Sequence, residues 1–174
     1  MPAPLIWLGA AAISLYSGNK LNNAYLKKKG VVGEWPGNSN YRVQARNGSV
    51  VCCGVYGMLD HTGIWIDGNI VELNGNGLVR AISPERFIHN RSGEEIYVAC
   101  DADFNPLLNQ QAVDACLAQI YSYRDYDVIS NNCHRFVAEM CLGQPSNITS
   151  FSELNEALSF LFSSAIYWHK SNDR

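Results

Sequence analysis

HTGIWIDGNIVELNG, residues 61–75, reads as two short strands around a reversal. Asp67-Gly68 is the kind of dipeptide that fills a two-residue hairpin turn. With that turn, Ile66 falls opposite Asn69, Ile64 opposite Val71 and Thr62 opposite Leu73, and together they make an apolar face. The other face pairs Trp65 with Ile70, Gly63 with Glu72 and His61 with Asn74. Moving the turn to Gly68-Asn69 changes partners but leaves each residue on its face, because side chains alternate along a strand. The hairpin therefore collects an imidazole, a carboxylate and a carboxamide on one side. A polar sheet face is ordinarily just solvated, so this one acquires chemical meaning only if a reactive group from elsewhere meets it.

Outward from the hairpin, the stretches 49–59 (SVVCCGVYGML), 77–82 and 94–101 (EEIYVACD) are β-branched and apolar, with turn residues between them, and predict further strands. Ser83-Pro84-Glu85-Arg86 suits a helix start. Residues 19–30 predict a polar helix stopped at Gly30, and 33–49 a loop rich in Gly, Pro, Asn and Ser. From Pro106 to Tyr123 apolar residues recur at helical spacing. YDVIS, 126–130, is a short strand or turn. In CHRFVAEMCLG, 133–143, Phe136, Val137, Met140 and Cys141 form the stripe of an amphipathic helix that Gly143 ends. The order of helix, antiparallel sheet and helices predicts an α+β domain.

The 174 residues suit one domain, and 47% hydrophobic with 17% charged residues excludes a disordered chain. A net charge of -3 gives no basic face for nucleic acid. Lys27–Lys29 reads as a solvated run. The six cysteines show neither disulfide-framework nor zinc-ligand spacing, which predicts mostly buried thiols in a reducing compartment and no metal. Two apolar ends, 3–16 and 157–168, are both too short to span a bilayer, which takes ~20 residues. The first also lacks the basic flank of a secretory leader. Both are expected to be helical, buried or docked on the surface, with peripheral membrane contact as the alternative.

The reactive group is sought among the thiols. Only Cys133 sits where a helix begins, behind Asn131-Asn132, while Cys52, Cys53, Cys100 and Cys116 lie in apolar patterns and Cys141 on the helical stripe. A free thiol with a pKa near ~8.5 is mostly protonated at neutral pH, and a helix N-terminus or a nearby imidazolium lowers that value. Four histidines could supply the base. His89 and His169 are expected at the surface, and His134 adjoins Cys133, so the two should not face each other along the helix. His61 remains, with Glu72 or Asn74 to fix its tautomer.

DHTGIWIDGNIVEL followed by YDVISNNCHRFV resembles the lecithin retinol acyltransferase-like family, circularly permuted relatives of the NlpC-type papain-like peptidases. The resemblance covers residues 48–143. It implies a papain-like fold with Cys133 as nucleophile and His61 as general base. The family's second histidine falls where this chain has Glu72, so the third role lies between Glu72 and Asn74. After the cysteine, His134-Arg135 replaces the family's Glu-His, so neither takes a role from the resemblance.

The activity implied is a thiol-dependent hydrolase or acyltransferase working through a Cys133 thioester, on a lipid ester or related acyl substrate, without a cofactor. A cysteine amidase or endopeptidase cutting cell-wall peptides, or a non-catalytic binding module, are the alternatives. The expected location is the cytoplasm, with membrane association through the apolar ends; export by a dedicated secretion machine stays open.

Overall fold

The computed structural model describes residues 20–55, 59–89, 91 and 93–173. The apolar end 3–16 lies outside them. Helix α1, described over residues 20–28, leads into strands β1 (Val32–Glu34), β2 (Arg42–Val43), β3 (Val50–Val55), β4 (Leu59–Ile66), β5 (Asn69–Leu73) and β6 (Val79–Ile82). Then follow α2 (Pro84–Ile88), β7 (Tyr97–Cys100), α3 (Gln110–Gln119), α4 (Cys133–Leu142), α5 (Phe151–Phe162) and β8 (Ile166–Ser171).

All eight strands join one sheet in the order β1-β8-β7-β3-β4-β5-β6, with β2 also on β8. β3 through β7 pair antiparallel. β8 is antiparallel to β7 but parallel to β1 and β2, so the sheet is mixed rather than purely antiparallel. The β4–β5 register is Ile64 to Val71, Trp65 to Ile70 and Ile66 to Asn69. Asp67 and Gly68 both take positive φ, 48° and 76°, as a turn matching the twist of the strands demands.

Both faces of the sheet are buried. Ile64, Ile66, Val71 and Leu73 pack with Phe136, Val137, Met140, Leu154 and Trp168 under α4 and α5. Trp65 and Ile70 pack on the opposite side with Val51, Cys53, Val98 and Phe87 of α2. The hairpin face that carries His61 and Glu72 is thus roofed by α2 and the chain after it, not solvated.

Three expectations are corrected. The apolar stretch 157–168 is not one helical end. Its first part finishes α5, which Ser163 caps in the left-handed conformation, and its second part begins β8 inside the sheet. Ile166 and Trp168 alternate into the core, while Phe160 and Leu161 of the helical part stay exposed. His169 rides on the same strand and is buried rather than exposed. Finally, the helix expected from Pro106 begins at Gln110, where the Asn109 carboxamide accepts the Ala112 N–H. No helix among the described residues is long and apolar enough to cross a membrane.

Candidate active site

The site forms where the start of α4 meets the start of β4. Asn132 is the N-cap of α4: its Oδ1 accepts the N–H groups of His134 and Arg135 at 3.0 and 3.2 Å. Its Nδ2 donates to Val128 O and Thr149 O at 2.9 and 2.7 Å, which ties the helix start to two flanking loops. The cap takes the second and third amides of the helix and leaves the first, that of Cys133, outside its grip. Behind this end the stripe of Phe136, Val137, Met140 and Cys141 is buried, so packing fixes the direction in which the helix presents Cys133.

The Cys133 sulfur lies 4.0 Å from the carbonyl oxygen of Asp60, with the His134 and His61 imidazoles near enough to act on it. His61 commits Nε2 to Glu72, 2.6 Å from Oε2, which leaves Nδ1 as the ring nitrogen for the thiol. Glu72 is wholly buried and satisfied on both oxygens: Arg80 donates to Oε1 from Nε at 2.9 Å, and Arg91 donates to Oε2 at 3.0 Å. Arg91 also holds the Phe87 carbonyl at the end of α2. A buried carboxylate with this many partners stays ionised and fixes one orientation of the imidazole.

The electrostatics follow from these contacts. Burial alone pushes the Cys133 thiol up, but His134 first, then His61, more than offset it through charge and hydrogen bonds and hold it well below the usual thiol range. Burial works against a charged His61, yet its hydrogen bonds to Cys133 and Glu72 raise it. Burial would also raise Glu72, but His61 and the two arginines bring it down to about 2. Both directions favour the thiolate–imidazolium form of the pair. Asp60 is the odd group: burial lifts its carboxyl to about 6, against the attraction of His134.

A cleft of about 500 Å³ opens over the sulfur, bounded by Trp35, Tyr126, Val128, Asn132 and Phe151 together with Cys133 and His61. At its edge Val128 and Ile129 stand exposed on the turn that Asp127 pins by accepting from Ile129 N–H, Ser130 N–H and the Ser130 hydroxyl.

The structure brings together Cys133, His61 and Glu72 of the residues expected from sequence. Asn74 is not among them: its side chain donates to Asn76 and accepts from Arg80 at 3.3 Å, so it touches the arginine that holds Glu72 and not His61. The physical reason is position, since Asn74 has already left β5 for the turn that closes on Leu78.

Sequence reasoning missed His134. Its neighbour relation to Cys133 excludes a face-to-face contact along a helix body, but both residues stand in the first turn. There His134 turns toward β4, with Nδ1 3.2 Å from Thr62 Oγ1, while also partnering the thiol. Arg80 had a signal, being directly opposite Glu72 in the β5–β6 register. Arg91 had none, because it arrives from the irregular chain after α2. Among the described residues no group of three or more His, Cys, Asp or Glu side chains is set to hold a metal ion. No family model matches the sequence, and neither does any curated protein.

Proposed function

We propose that the protein is a thiol-dependent hydrolase or acyltransferase with a permuted papain-like fold, acting through an acyl thioester on Cys133. The observation that supports this is the chain of contacts Cys133–His61–Glu72 at the floor of an open cleft, with Glu72 kept ionised by Arg80 and Arg91. A thiolate at a helix start beside a buried, oriented imidazolium is what nucleophilic acyl chemistry requires.

The thiolate attacks a carbonyl carbon, and the electron pair moves to the carbonyl oxygen. The Cys133 N–H, which the Asn132 cap does not take, points the dipole of α4 at that oxyanion. The tetrahedral species collapses as the bond to the leaving oxygen or nitrogen breaks, and His61 Nδ1 gives that atom its proton. Neutral His61 then takes a proton from water or an acceptor alcohol or amine, which attacks the thioester and returns Cys133 to the thiolate. Glu72 holds the ring throughout and stays a carboxylate.

The substrate we favour is a lipid ester or related acyl compound. The apolar side of the cleft, Trp35, Val128 and Phe151, and the exposed Ile129 beside its mouth support an acyl chain. The polar part of the same lining, Asn23, Ser150 and Ser152, favours the second reading, a peptide held by hydrogen bonds. The test is mass spectrometry of the intact protein after brief exposure to a short-chain activated ester, to phosphatidylcholine vesicles and to cell-wall peptides. An acyl adduct on Cys133 that is absent in Cys133→Ala supports the reading, and the donor that forms it selects the substrate class. No adduct with any of the three overturns it.

A further inference from the structure

A second groove, of about 380 Å³, shares no residue with the catalytic cleft and is lined by Glu34, Ser39, Tyr41, Phe104, Tyr167 and His169 among others. His169 is 3% exposed, and its Nε2 is the buried side-chain nitrogen or oxygen left without a hydrogen-bond partner among the described residues. Such an atom in a native interior calls for an explanation. Its other nitrogen, Nδ1, is 2.9 Å from Ser39 Oγ. That hydroxyl already accepts the Tyr41 N–H at 3.2 Å, and its own hydrogen is free to rotate. Ser39 therefore serves either tautomer of His169, and Nε2 can present a proton or a lone pair to the groove.

Three aromatic rings, Tyr41, Phe104 and Tyr167, and the carboxylate of Glu34 share the lining with Asn38, Asn40 and Ala102. Phe104 lies with its ring centre 4.3 Å from Tyr41 and 4.9 Å from His169, and Tyr167 stacks on His169 at 6.4 Å. These positions are built, not incidental. Phe104 takes a φ of 64°, a region bulky residues avoid, on a turn that Asp101 pins by accepting from the Asp103 and Asn105 amides. Gly33 has no side chain, and the Tyr167 ring occupies the space a Cβ would take. Despite this packing, Tyr41 is 64% exposed and Phe104 40% exposed, so the ring surfaces face outward. Among the described residues Glu34 is the one carboxylate of the lining, and Lys27 lies loosely beside it at 3.7 Å.

We propose that this groove binds a small organic ammonium ion, its charge held by Glu34 and the aromatic wall and its N–H or hydroxyl by His169 Nε2. Ring faces attract cations through their negative quadrupole, and a carboxylate at the same site adds to that attraction. Burial keeps His169 below its ordinary range, against the pull of Glu34, so the imidazole does not repel a cation. The site makes no use of Cys133 and stands whether or not the thiol chemistry does.

The imidazole and ring signals of the full protein, followed by NMR during titration with choline and with ethanolamine, test the proposal. The neutral carbon isostere of choline serves as the control. The expected result is a saturable shift of the His169 signals with an ammonium compound and none with the isostere. Glu34→Gln and Tyr41→Ala should each weaken binding by about 3- to 30-fold while the remaining spectrum stays dispersed. Saturation by the free amines assigns a soluble ligand; a response only to phosphatidylcholine vesicles assigns a lipid headgroup. Equal binding of the isostere, or no response to amines and vesicles while His169 Nε2 exchanges only with water, overturns the proposal.

Discussion

Two cysteines neighbour one imidazole and have their thiols shifted in opposite directions. Cys53, in the interior of β3, is the direct cross-strand partner of His61. Cys133, at the start of α4, reaches the same histidine from another element. Burial pushes Cys53 up to about 12, even with Arg91 drawing it down. Burial pushes Cys133 up too, yet His134 and His61 bring it well below the ordinary range. Being next to a histidine is therefore not what makes a thiol reactive. Cys53 spends its S–H on the Phe87 carbonyl at 3.7 Å and faces a sealed layer of Trp65, Ile70 and Phe87. Cys133 has two imidazoles, a helix end and an open cleft.

The sharpest break of this comparison is to remove each sulfur in turn. Cys133→Ala should lower turnover of any substrate the wild type processes by at least roughly 10⁴-fold. Cys53→Ala should leave turnover within about twofold and cost about 1 kcal/mol of stability through the small cavity it leaves. Steady-state rates and denaturant melts check both, and equal losses of activity would erase the distinction.

Removing the shared imidazole comes next. His61→Ala should cost roughly 10³-fold in turnover, the usual worth of a positioned acid–base group. Cys53, already un-ionised, should not change its reactivity at all.

The third effect is on stability. Glu72→Gln leaves Arg80 and Arg91 without their carboxylate, and breaking a buried pair on one side costs about 3–5 kcal/mol. The sign with pH follows from the depressed carboxyl. Its folded value of about 2 lies below its ordinary 4.5, so the stabilisation is complete above 4.5 and is lost as pH falls toward 2. Urea melts across that range should show the wild type converging on Glu72→Gln as the pH drops. A constant gap between the two would contradict the burial of an ionised Glu72.

Asp60 gives the smallest and opposite effect. Its carboxyl is raised from 3.8 to about 6, so the fold favours the protonated form and loses stability as pH rises through that interval. Asp60→Asn should flatten this slope without touching the acid limb that belongs to Glu72.

Much of this comparison was legible in the residues. The alternation around Asp67-Gly68 gave the register and faces of β4 and β5, and the polar caps with an apolar stripe gave α4 and its end at Gly143. Local rules suffice there because both patterns are set by near neighbours. The roof over the hairpin was not legible, because Phe87 and Arg91 reach it across the fold. Nor was β8: a run of apolar residues does not say where helix gives way to strand, and only the Ser163 cap and the place in the sheet between β1 and β7 decide it. His134 was hidden for a third reason, since a spacing rule for helix bodies does not govern the first turn.

The central claim is that Cys133 rests as a thiolate held by His61. The direct measurement is the iodoacetamide alkylation rate of each cysteine against pH, read by mass spectrometry of peptides in the wild type and in His61→Ala. Cys133 alone should react rapidly below pH 7, and the midpoint of its pH profile should move up when His61 is removed. A Cys133 that titrates near ~8.5 like a free thiol, in both proteins alike, would contradict the account.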